Sequence, residues 1–105
     1  MIPKPLRPFV TRLKNETDNR TLSWLPSGSG RAFSCAHKNY NLHIWSGTDS
    51  VTETGFVSFK MDGPSSILFS TDHGENDYEI MSDLLSSIEA NAANFDEEAI
   101  NDFFS

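Results

Sequence analysis

Apolar positions recur at two different periods along this chain, and the points where the period changes divide it into parts. Near the start, Phe9 and Leu13 lie four apart with Val10 beside them, which is the spacing of one helix face. Pro3, Pro5 and Pro8 each fix their own φ and bias the preceding residue away from helix, so residues 1–7 are expected to be extended. A short amphipathic helix follows over 8–18, and the polar group Asn15, Thr17, Asp18 and Asn19 ends it.

From 22 to 71 the period falls to that of strands. Leu22–Leu25 is stopped by Pro26, Gly28 and Gly30, and 32–37 then places Phe33 and Cys35 on one side. After the break at Lys38-Asn39, Tyr40, Leu42 and Ile44 share a face, while His43 and Trp45 take the other. Residues 46–55 are polar and read as a loop. Val57, Phe59 and Met61 then align on one side of 56–61, Asp62 to Ser65 turns the chain, and 67–71 closes the series. Five short strands with tight connections predict an antiparallel meander, one face of which needs a cover.

The cover is predicted over 77–104 as two helices. Tyr78, Met81, Leu85, Ile88 and Ala92 recur at spacings of three and four, and Leu84 widens the stripe. Asn76 or Asp77 stands where an N-terminal cap belongs, with Glu79 opposing the positive end of the helix dipole. A shorter second helix is expected after Asn94, capped by Asp96, with Phe95 and Ile100 spaced as a hydrophobic staple. Two turns are not stable alone, so Ile100, Phe103 or Phe104 is expected to dock. The fold class is therefore α+β: an antiparallel sheet of about five strands, preceded by a short helix and covered on one face by C-terminal helices.

Composition sharpens this picture in two respects. The chain has 105 residues, 37% of them hydrophobic and 11% aromatic, enough for a core in one domain without cross-links. A single cysteine, Cys35, excludes an internal disulfide framework and four-thiolate zinc sites, and points to a reducing compartment. No run approaches the length of a membrane span or a signal-peptide core, which leads to a cytoplasmic expectation.

Charge changes the picture further. The net charge is −7, and it is unevenly spread. Residues 1–38 hold seven Lys and Arg against two acids, whereas 61–105 hold eleven acids and no Lys or Arg. Such an acidic end either solvates the fold, pairing partly with the basic start, or meets a basic partner. Asp72, Glu75, Glu79, Asp83, Glu97, Glu98 and Asp102 are the candidate partner-binding residues. A body at −7 argues against a nucleic-acid partner.

Catalytic chemistry has little to stand on. Cys35 and His37 project to one side of a strand and His43 belongs to the next, but no metal-ligand spacing or oriented carboxylate accompanies them. Burial of Cys35 as a small hydrophobe is the ordinary explanation. The acids of 72–77 do not have the spacing of a calcium loop and read as a solvated capping loop. Ser-Gly-Ser-Gly at 27–30 lacks the Lys-Ser/Thr of a phosphate loop. No catalytic, cofactor-binding or metal residues are therefore assigned. On the long helix, Ser82, Ser86, Ala90 and Ala93 form a row of small residues, against which either the terminal helix or a second subunit of a homodimer could pack.

The succession Leu13, Thr17, Leu22 and Trp24, then Tyr40-Asn41-Leu42, then Asp77-Tyr78-Glu79 with Met81, Leu84, Leu85 and Ile88, resembles small uncharacterised bacterial helix-meander-helix proteins of mobile elements, integron cassettes and immunity loci. That resemblance implies no shared catalytic residues. With the charge pattern, it leads to an expected function: a non-enzymatic acidic protein-binding module, of immunity or anti-defence type, that contacts a basic partner through its C-terminal half. The alternative is a small-ligand-binding or regulatory homodimer with a pocket between sheet and helices lined by Trp24, Tyr40, Trp45 and Phe59. A buried, ligand-sized cavity favours the second reading, and a filled core with acids clustered on one exposed face favours the first.

Overall fold

The computed structural model describes residues 1–28, 30–51, 53–93 and 97–105, the side chains of 97–100 excepted. Helix α1 (Arg7–Asp18) leads into a sheet of five strands: β1 (Leu25–Pro26), β2 (Ala32–His37), β3 (Tyr40–Thr48), β4 (Gly55–Asp62) and β5 (Ile67–Asp72). Helices α2 (Asn76–Ala92) and α3 (Glu97–Phe104) follow. The strands lie in chain order and every neighbouring pair is antiparallel, so the sheet is a plain meander.

Register fixes which face is which. Cys35 pairs with Leu42, Ile44 with Phe59 and Phe59 with Phe69, so these side chains share the inner face. Against it lie Met81, Leu84, Leu85 and Ile88 of α2 and Val10 and Leu13 of α1, all buried. The Phe9 ring meets Phe59 edge-on at 6.1 Å between centroids. The outer face carries Ala32, Ser34, His43, Trp45, Ser58 and Lys60, the mixture expected of a sheet wetted on one side. The α+β fold is as the periodicity predicts, but the cover is α2 with α1 beside it.

The first strand is shorter than expected. Only Leu25 and Pro26 pair with β2, and Pro26 is tolerated because β1 is an edge strand. Leu22 and Trp24 instead leave the sheet and enter the core. Asn91, near the end of α2, holds this irregular stretch: its amide NH₂ donates to the carbonyls of Thr17 at 3.0 Å and Leu22 at 2.8 Å, and its oxygen accepts from the Trp24 amide at 2.9 Å. The Trp24 indole N–H donates to the Thr17 hydroxyl at 3.1 Å, so both buried polar groups are satisfied.

Nor is the proline-rich start extended throughout. Lys4–Leu6 form one turn of 3₁₀ helix, with a proline in the first positions, where a missing N–H costs nothing. Ahead of that turn Ile2 is buried in the core. The polar stretch 46–55 is only partly a connection between strands, since β3 runs on to Thr48 and β4 starts at Gly55.

Candidate functional site

Among the described residues, the head of α2, the cleft beside α1 and the surface of α3 bear on the binding of a partner or ligand. The head of α2 is built by a clasp. Glu75, not Asn76 or Asp77, occupies the cap position, and its side chain makes no capping bond. Asp77 is turned inward at 4% exposure. Its Oδ2 accepts the Ile2 amide at 2.9 Å, and its Oδ1 accepts from the Arg7 guanidinium at 2.6 Å. The Ile2 hydrogen bond, joined by Arg7, holds the Asp77 carboxyl below the ordinary carboxylate range, against the opposing effect of burial.

Folding therefore consumes part of the charge asymmetry. Arg7 pairs with Asp77, Arg31 with Glu89, and the Met1 ammonium lies 2.8 Å from Glu75. Among the described residues Asp72, Glu79 and Asp83 are exposed and form no ion pair. Of these, Glu79 lines an open recess walled also by His73, Glu75 and Tyr78, in which the His73 and Tyr78 rings meet edge-on at 5.3 Å between centroids, while Asp72 and Asp83 lie outside that lining. Of the other acids proposed from sequence, Asp102 is exposed on α3, and the side chains of Glu97 and Glu98 lie outside the described residues.

The second place is an open cleft of about 570 Å³ between α1 and the β2–β3 end of the sheet. Phe9, Leu13, Leu22, Tyr40, Leu42 and Met61 give it apolar walls, and Arg12, Glu16 and His37 stand at its polar rim. Gly63 makes room for one wall: a Cβ there would stand 2.6 Å from the Tyr40 ring. Only Tyr40 of the four expected aromatics lines this cleft. Trp24 and Phe59 are buried in the core, and Trp45 belongs to the opposite face of the sheet.

The third place is α3. Phe103 and Phe104 are each 80% exposed, with ring centroids 4.9 Å apart, so neither of them docks, while the Ile100 side chain lies outside the described residues. The cap at Asp96 and the staple of Phe95 with Ile100 lie outside the described residues. On α2, Ser86, Ala90 and Ala93 are exposed and Ser82 is half-buried, so the terminal helix does not cover the small-residue row.

The cysteine and histidines do not assemble. Cys35 is buried on the inner face, while His43 pairs in register with Ser34 and Lys60 on the outer face. Burial pushes the Cys35 thiol up, opposed in part by a backbone hydrogen bond from Ser23, which makes it a poor nucleophile. Among the described residues no three His, Cys, Asp or Glu side chains are grouped to hold a metal. No described helix is long and apolar enough to cross a membrane. No protein-family model, curated protein or solved structure matches the chain.

Proposed function

We propose that this protein is a non-enzymatic acidic binding module that docks a basic protein through the C-terminal half of its chain, at the surface formed by Asp72, Glu75, Glu79 and Asp83 around the head of α2. The observation that carries this reading is the recess between His73 and Tyr78, rimmed by Glu75 and Glu79. A carboxylate rim around two aromatic rings suits a guanidinium or ammonium group, which gains charge-assisted hydrogen bonds from the acids and a cation–π contact from the rings. The division of labour among the acids supports it too. Asp77 and Glu89 neutralise bases of the N-terminal half, which leaves Asp72, Glu79 and Asp83 to face outward.

Such a surface suits an immunity or anti-defence role, in which an acidic face covers the basic surface of a nuclease in the cytoplasm. The free, buried Cys35 goes with a reducing compartment. The non-catalytic reading goes with the separation of Cys35 and His43 onto opposite faces of the sheet.

Selection from a library of random displayed peptides tests the proposal. Enriched peptides should be rich in Arg and Lys, and their association should slow as the Debye length shrinks from ~10 Å at 0.1 M to ~3 Å at 1 M salt. The combined variant Asp72→Asn, Glu79→Gln, Asp83→Asn should lose them while melting as the parent does. Enrichment of neutral peptides, or binding indifferent to the triple variant, overturns the reading. A second reading, a small-ligand-binding protein, has the 570 Å³ cleft in its favour, since its volume lies within the range of ligand pockets.

A further inference from the structure

The cleft and α3 are complementary in three respects. The first is apolarity: the cleft offers a floor of Leu22, Leu42 and Met61 between the rings of Phe9 and Tyr40, while α3 leaves Phe103 and Phe104 in water. An eight-residue helix is far below the length at which a helix is stable alone, so the structure of α3 requires a surface to bury those rings. The second is charge. The α3 segment carries Glu97, Glu98 and Asp102 without a base, and the mouth of the cleft carries Arg12 with His37 and Lys38 nearby. The carboxylate at that mouth, Glu16, lies 3.6 Å from Arg12 and offsets it, so the positive excess there is that of Lys38 beside His37.

The third is position. Asn91 ties the end of α2 to the Leu22 carbonyl, and Leu22 lines the cleft. The chain therefore starts towards α3 beside its own cleft, yet no described residue of α3 lines it. A second copy that offered its α3 to this cleft and received this α3 in its own would make a closed, self-complementary two-fold contact.

We propose that the cleft between α1 and the β2–β3 hairpin is the receptor for α3 of a second copy of this chain, which inserts Phe103 and Phe104 between Phe9 and Tyr40. The mode is an amphipathic helix in an apolar groove. The inference does not rest on the basic partner, whose recess at the head of α2 shares no lining residue with the cleft.

Sedimentation velocity across a concentration series, together with NMR on a mixture of isotope-labelled and unlabelled copies, tests it. The expected result is a monomer–dimer equilibrium with intermolecular contacts between the Phe103 and Phe104 rings of one copy and the Leu42 and Met61 methyls of the other. The double variant Phe103→Ser, Phe104→Ser should weaken the dimer at least ~30-fold without altering the circular dichroism, as expected of central aromatic anchors. Arg12→Glu should weaken it as well, and adding Asp102→Lys should restore part of the loss. The proposal is overturned if the protein stays monomeric throughout, if the dimer ignores the double variant, or if the ring contacts prove intramolecular. Equal binding of a small apolar dye in the cleft by the parent at dimer-forming concentration and by the double variant would assign the cleft to a small ligand and overturn it too.

Discussion

Helices α2 and α3 have similar ingredients and different fates. Both set apolar residues at helical spacing among acids, yet α2 buries Met81, Leu84, Leu85 and Ile88 completely, whereas α3 leaves two phenylalanines at the surface. The buried helix is fastened at both ends. Asp77 joins the head of α2 to Ile2 and Arg7, and Asn91 joins its tail to Thr17, Leu22 and Trp24. On α2, periodicity announces the face that is covered and long-range polar anchors hold it in place.

Breaking the buried side of this comparison should have the largest effect. Leu85→Ala removes a fully buried side chain between sheet and helix and should cost about 2 to 5 kcal/mol in denaturant unfolding. A variant as stable as the parent contradicts helix-on-sheet packing.

An intermediate effect is expected at the clasp, where it shows as pH dependence. The folded Asp77 carboxyl titrates below its unfolded value of about 3.9, so the folded state favours the carboxylate. Its contribution is fully present above that pH and is lost as pH falls through the lower folded value. Asp77→Asn should therefore reduce stability at neutral pH and flatten the decline below about pH 4, measured by unfolding across an acid series. An unchanged acid profile would show that the carboxylate does not hold the N-terminal segment.

The smallest effect belongs to α3. For a dilute monomer, Phe103→Ser with Phe104→Ser should change the unfolding free energy by no more than about 0.5 kcal/mol, because exposed side chains away from packed contacts contribute little. A large loss would mean that α3 docks within its own chain, and the contrast with α2 would disappear.

The meander and the α2 stripe were legible because both rest on local period. The alternation of Val57, Phe59 and Met61 and the recurrence of Met81, Leu85 and Ile88 repeat within a few residues. The candidate surface was legible only as charge. Sequence placed Asp72, Glu75, Glu79 and Asp83 in one stretch, but it could not separate them from Asp77, which looked like one more helix-capping acid and is an internal ligand for Arg7. The role of Asn91 carried no local signal, since its partners lie far away in the chain. The cleft was misdrawn for the same reason: Trp24 left its strand for the core, and Trp45 took the opposite face, leaving Tyr40 as the only expected aromatic in place.

The hydrogen bond from Ile2 to Asp77 spans 75 residues, whereas each hairpin of the sheet closes over a short turn. Closing a long loop before its contacts form is entropically expensive, and topologies dominated by near neighbours fold faster. The meander is thus the early-forming unit, and the clasp is among the last contacts to close and the first to open. In native-state hydrogen exchange, the Ile2 amide should trade its proton through a partial opening that detaches the N-terminal turn and leaves β3 and β4 protected.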